Sequence, residues 1–242
     1  DGDDYIINGQ KVWTSRAEYS DLILLLAKSG DSETKQNNLS LFLIDMRPHL
    51  NKSIFIKPIK TMINHSTTEV FFENLKVSES CLVGEEGKGF KYILDGMNAE
   101  RILIASECLG DAKYFIDKAK KYANERIVFG RPIGKNQSIQ FPISRAYANT
   151  RAAELMIKEA CSLYDKNIKC GEESNLAKLL AADSSWESAD MAMQTFGGFS
   201  FSEEYNIERK FRETRLYRIA PVSTNMILAY IAHKVLGMPR SY

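Results

Sequence analysis

Glu100 and Arg101 stand side by side in a stretch, Gly96 to Ala105, whose other members are mostly apolar or small. If this stretch is helical, the i−4 and i+4 neighbours of Glu100 are Gly96 and Ile104, and those of Arg101 are Met97 and Ala105. Ions are costly to bury without partners, so an adjacent Glu-Arg pair in such a setting has two readings. One is structural, a partly buried ion pair or an exposed corner. The other is chemical, a carboxylate in an apolar cleft, where desolvation raises its pKa and makes it a stronger base.

Three further groups of residues have types suited to binding. Gly197-Gly198 follows Gln194-Thr195-Phe196, and a glycine pair lets a phosphate or a flat ring approach the backbone, although it equally suits a helix C-cap. Arg126 and Arg131 flank Ile127-Val128-Phe129-Gly130, where an arginine can grip a phosphate through two bonds or simply cap a helix end. Trp13-Thr14-Ser15 sets an aromatic face beside two hydroxyls, fit for a flat ligand or for the edge of a core. His49, His65 and His233 lie in unrelated contexts, which leaves little material for a metal site or a Ser-His-Asp triad.

The elements that must position these residues divide the chain in two. From Asp4 to about Leu82 run short alternating or β-branched stretches: Tyr5–Asn8, Lys11–Thr14, Leu22–Lys28, Leu39–Asp45, Ser53–Pro58 and Glu69–Phe72. Gly9, Gly30, Pro48, Pro58 and Asn74 punctuate them, the pattern of strands and turns. After Gly84-Glu85-Glu86-Gly87-Lys88-Gly89 the apolar period changes to three and four over Phe90–Tyr122, Ser138–Ile168, Asn175–Phe196 and Ala220–Leu236. Short, glycine-marked loops between long helices predict an up-and-down four-helix bundle. The order is α+β: a partial β-sheet domain over residues 1–82, then a helical domain over 83–242.

Composition sets the outer bounds. The 242 residues are 44% hydrophobic and 26% charged, enough to bury a sizeable core. With 32 Lys and Arg against 31 Asp and Glu, the net charge of +1 gives no field that would draw a nucleic-acid backbone or an anionic bilayer. The apolar run Leu22–Ala27 is far short of the roughly 20 residues of a membrane helix. Cys81, Cys108, Cys161 and Cys170 show no C-x-x-C spacing, which points to a reducing compartment rather than to zinc or a disulfide framework. The opening DGDDYIINGQ reads like the middle of a domain.

Taken in order, six segments resemble the acyl-CoA dehydrogenase family: NGQKVWTS at 8–15, STTEVFFENLKV at 66–77, VGEEGKGF at 83–90, ERIVFGRPIGKNQ at 125–137, QTFGGFSF at 194–201 and RKFRETRLYRIAPVSTNMI at 209–227. The resemblance implies a flavoenzyme that dehydrogenates the α and β carbons of an acyl-CoA thioester to the trans-2-enoyl-CoA, with FAD as cofactor and electron-transfer flavoprotein as acceptor. The fold it implies has an N-terminal helical domain, here absent, a middle β domain and a C-terminal four-helix bundle, assembled as a tetramer or dimer. The compartment would be cytoplasmic in a bacterium and the mitochondrial matrix in a eukaryote. An acyl-CoA oxidase is the nearest enzymatic rival, and a non-catalytic scaffold or inactive fragment the rival of another class.

Most members carry the catalytic Glu in a Tyr-Glu-Gly-Thr motif, where this chain reads Ala220-Pro221-Val222-Ser223. No Asp or Glu occurs after Glu213, so neither register supplies a base there. The isovaleryl-CoA and long-chain branches place it on the first bundle helix just before an arginine, and Glu100-Arg101 matches that arrangement. The resemblance thus implies Glu100 as general base, with Asn98 and Arg101 at the acyl or thioester end. It further implies Trp13 and Ser15 at the flavin ring, Arg126, Phe129 and Gln137 gripping the FAD of a neighbouring subunit, Gln194, Gly197 and Gly198 along its pyrophosphate or adenosine, and Ser223 and Asn225 in a last FAD-contacting turn. Ser200 stands where many members have glycine.

Overall fold

A computed structural model describes residues 4–29, 38–63 and 66–241. Gly30 and His65 lie outside the described residues. The chain forms two compact units, Asp1–Gly96 and Met97–Tyr242.

In the first unit, β1 (Asp4–Ser15), β5 (Thr67–Ser78) and β4 (Ile54–Ile59) form an antiparallel sheet in the order β1-β5-β4, and β2 (Leu22–Lys28) pairs antiparallel with β3 (Leu39–Asp45). Leu25, Phe42 and Ile44 turn inward to a core with Ile54, Val70, Phe72 and Leu75, while Leu22, Leu24 and Leu43 face outward, the alternation a pleated strand imposes. Gly9 was expected to separate two strands. Instead β1 continues through it, with a register shift between Ile7 and Gly9 that a glycine at φ +146° accommodates.

The second unit is built on long helices: α1 (Gly89–Glu125), within which the division between the units falls, α2 (Gln137–Asp165) and α3 (Gly171–Phe196). On α1 the buried stripe runs Ile102, Ala105, Cys108, Ala112, Phe115, Ala119 and Ala123; on α2 it runs Ala146, Thr150, Ala153, Ile157 and Ala160. These steps of three and four put each set on one helical face. Alanines and serines on α3, among them Ala177, Ala181, Ser184, Ser188 and Ala192, allow close packing, and Thr150 Oγ1 meets Ser184 Oγ at 2.9 Å within it.

The expected helix from Ala220 is later and shorter. Pro221 precedes it, the Ala220–Pro221 bond is cis, and α5 (Thr224–Tyr230) starts only after Ser223, whose side chain caps it by accepting from the Met226 N–H at 3.3 Å. A single π turn, Ile231–Val235, extends it. A helix the apolar spacing did not mark, α4 (Ile207–Thr214), lies between α3 and α5. Its sequence, Ile-Glu-Arg-Lys-Phe-Arg-Glu-Thr, is mostly charged, and i,i+4 pairs Glu208–Arg212 and Arg209–Glu213 line its surface.

Candidate active site and cofactor cleft

Trp13 sits at the second irregularity of β1, between Lys11 and Thr14, with φ +66°. A bulky residue in the left-handed region is unusual, and a bulge re-aims its side chain. The ring is 68% exposed, and Thr68, wholly buried, donates from Oγ1 to the Thr14 carbonyl at 2.9 Å, fixing the backbone beside it. Ser15 follows, exposed, at the end of the strand.

A cleft of about 440 Å³ in the second unit gathers two segments far apart in sequence. Arg126 comes just after α1, and Gln194 to Gly198 from the end of α3; Tyr122, Val128, Ile133 and Phe199 complete the wall. Gly197 ends α3 with φ +58°, and a side chain added at Gly197 or Gly198 would meet only open space, so both backbones are open to a bound group. Ser200 does not crowd the cleft: its side chain is buried and donates to the Gly197 carbonyl at 2.7 Å. The Arg126 guanidinium lies 5.6 Å from the centre of the Phe199 ring, with no carboxylate bonded to it among the described residues. An exposed arginine, two open glycine backbones and an aromatic wall suit a phosphate-linked aromatic group.

The stretch after α1 was expected to be a helix end with two arginines. It is a two-residue hairpin, Ile127–Val128 paired with Arg131–Pro132, with Phe129 and Gly130 both at positive φ. That is the backbone of a primed hairpin turn. It holds Phe129 fully exposed at its tip. Gln137 is exposed at the first position of α2, and Asn225 is exposed at the second position of α5, two residues after the Ser223 cap. These three residues, with Ser223, lie outside the wall of the cleft.

Glu100 and Arg101 occupy different environments. Glu100 is exposed and forms no ion pair or side-chain hydrogen bond among the described residues, so the expected apolar cleft around it is not formed within this chain. Arg101 turns inward on the adjacent position of α1: it is half-buried, Nη1 donates to Asn98 Oδ1 at 3.1 Å, and Nε is buried with no partner. Burial pulls its pKa down, against the influence of Tyr230 and Glu100. An exposed carboxylate thus stands next in sequence to a guanidinium with hydrogen-bonding capacity to spare.

The segment at 217–222 is anchored by a residue that spacing alone did not single out. Lys178, wholly buried on α3, donates from Nζ to the carbonyls of Tyr217 and, at 2.7 Å, Val222. Its only signal in the sequence is a single lysine inside Leu176-Ala177-Lys178-Leu179-Leu180-Ala181, where a charge interrupts an apolar run.

A strand unit followed by a helical unit, with a glycine-opened cleft at a helix end, defines an α+β protein. The chain matches the acyl-CoA dehydrogenase middle-domain family model over residues 1–75 and the acyl-CoA dehydrogenase C-terminal-domain model over residues 87–236. It belongs to the acyl-CoA dehydrogenase family. Acyl-CoA dehydrogenase FadE12 of Mycobacterium tuberculosis is 32% identical over all of this chain and 63% of that protein. The 3-(aryl)acrylate reductase of Clostridium sporogenes is 33% identical over 98% of this chain and 62% of its own length. The chain therefore spans less than two thirds of these relatives. Among solved structures, the glutaryl-coenzyme A dehydrogenase complex with glutaryl-CoA superposes with a TM-score of 0.92 at 30% identity, over 99% of this chain and 61% of that one. A chain in the structure of the electron transferring flavoprotein of Acidaminococcus fermentans gives 0.91 at 28%, over 98% and 62%.

Proposed function

We propose that the whole protein is an FAD-dependent acyl-CoA dehydrogenase that converts an acyl-CoA thioester to its trans-2-enoyl-CoA, with Glu100 as the base that removes the α proton. The observation that carries this reading is the contrast within one turn of α1, an uncommitted Glu100 carboxylate beside an inward Arg101 with an unpartnered buried N–H. No acidic residue follows Glu213, which leaves the Pro221 turn without a competing base.

Each residue then has a task its surroundings support. Glu100 accepts the α proton. Arg101, held by Asn98, presents N–H groups to the acyl or thioester end, where negative charge develops as the proton leaves. FAD, when bound, supplies the acceptor for the hydride from the β carbon. Trp13 and Ser15 would face its ring, Arg126, Gln194, Gly197 and Gly198 would hold its phosphate-bearing end, and Phe129, Gln137, Ser223 and Asn225 complete the contacts. The open glycine backbones and the exposed arginine of the cleft support this fit. A fully exposed Phe129 at the tip of a hairpin supports assembly of the site across subunits of a homo-oligomer. Similarity to a chain in an electron transferring flavoprotein structure supports such a flavoprotein as electron acceptor.

The test is an anaerobic visible spectrum of the full-length protein with butyryl-, isovaleryl- and octanoyl-CoA. Flavin absorbance that bleaches with at least one of them, and does not bleach in Glu100→Gln, is the expected result. Bleaching that survives Glu100→Gln would reassign the base, and a full-length protein without flavin would overturn the reading.

A further inference from the structure

Lys178 is a wholly buried lysine, and among the described residues it forms no ion pair with an acid. Its ammonium donates to two backbone carbonyls, Tyr217 and Val222, and so spans the segment that holds Pro221. Burial pulls its pKa down and Arg101 acts the same way, while Cys108 and Asp183 act against them. Cys108 is a neutral thiol, pushed up to about 12 chiefly by burial, and Asp183 is engaged with Arg218 at 3.0 Å. Arg101 carries the same sign as Lys178. The helix faces that bear the two are packed together through Ile102, Ala105, Ala177 and Ala181, with Tyr217 against the same cluster.

Two basic side chains on packed helix faces, neither bonded to a carboxylate among the described residues, carry a desolvation cost that Lys178 offsets only through its bonds to two carbonyls. Such a locus favours any negative charge that forms beside it. Removal of the α proton forms one: the C–H bond breaks, the proton passes to the Glu100 carboxylate, and the electron pair delocalises onto the thioester oxygen. Charges fixed before that step act on it without reorganisation.

We propose that Lys178 is a positioning residue of the acyl-thioester site: it holds the Tyr217–Val222 segment at both ends and, with Arg101, maintains a positive field that favours the enolate formed when Glu100 takes the α proton. This rests on the acyl-CoA dehydrogenase reading above. The lysine touches neither substrate nor cofactor and acts through the segment it ties and through its charge.

The experiment uses the full-length, flavin-loaded protein and acetoacetyl-CoA, whose C2 proton ionises to an enolate with its own near-ultraviolet band. Wild type is expected to lower the pKa of bound acetoacetyl-CoA below its value in solution. Lys178→Met is expected to weaken that ionisation about tenfold, roughly one pKa unit. Its affinity for butyl-CoA, a thioether with no carbonyl, should change less than twofold. Lys178→Gln, which retains N–H donors for the two carbonyls but no charge, should weaken the ionisation similarly even if the methionine variant fails to fold. An unshifted acetoacetyl-CoA in wild type overturns the proposal without recourse to any variant. So does wild-type ionisation in Lys178→Gln, or an equal loss of both ligands in either variant, which would make the lysine a support of the fold alone. A full-length protein that binds neither ligand and does not bleach with acyl-CoA would overturn the underlying dehydrogenase reading, a result distinct from the failure of Lys178 alone.

Discussion

Tyr122 near the end of α1 and Phe196 at the end of α3 stack with ring centres 4.1 Å apart and planes 18° from parallel. Tyr205 closes on both edge-on, at 6.3 and 5.5 Å. This aromatic floor underlies the cleft that Arg126 and Gly197-Gly198 line, so the packing of the second unit and the shape of its binding surface share residues. Phe196→Ala should therefore cost about 3–5 kcal/mol, the usual range for removing a buried aromatic ring. Urea unfolding of the full-length protein is the measurement, with a fall in midpoint at an unchanged slope as the expected outcome.

Gly198 separates binding from stability. A Cβ there meets nothing within 4 Å, so Gly198→Val should leave the free energy of urea unfolding within about 0.5 kcal/mol of wild type. The same side chain would project into the space assigned to the cofactor. Flavin retained through gel filtration, read as the ratio of 450 to 280 nm absorbance, should drop severalfold.

Glu100→Gln tests the base without disturbing the fold, because the side chain is exposed and bonded to nothing among the described residues. Flavin content and thermal midpoint should match wild type. The rate of anaerobic bleaching should fall by about 10²–10⁴, the range that general-base catalysis supplies. Stopped-flow absorbance would show it, and a fall of less than tenfold would exclude Glu100 from the role.

Lys210 gives a pH signature. Burial alone would lower its pKa, but bonds to Asp111 at 2.6 Å and Glu213 at 3.3 Å more than reverse this, so the folded-state pKa is raised. A raised folded pKa means that the stabilisation is fully present below the unfolded-state value of about 10.4 and is lost as pH rises through the folded one. Asp111→Asn should lower stability at pH 8 and flatten its decline above pH 10. Chemical denaturation across pH 8–11 would reveal both effects.

Much of this organisation was legible in the sequence because it rests on local period and local chemistry. The change from alternating residues to steps of three and four located the long helices, since Ala105, Cys108, Ala112 and Phe115 can share a face in no other way. The order of six segments carried the family resemblance, and it was this resemblance that singled out Glu100, the acid before an arginine on the first bundle helix, with no acid after Glu213 to compete. What period could not convey was how backbone irregularity and long-range packing act. Gly9 reads as a stop but is a bulge within one strand, and Phe129-Gly130 reads as a helix end but is a hairpin tip, because pairing with a distant or returning strand outweighs local preference. Only the tertiary structure set Arg126 beside Gly197, turned Arg101 inward while leaving Glu100 exposed, and placed the Lys178 ammonium on the Tyr217 and Val222 carbonyls. The first and last of these join residues tens of positions apart, and all depend on desolvation and hydrogen bonding in a packed interior, which no local pattern records.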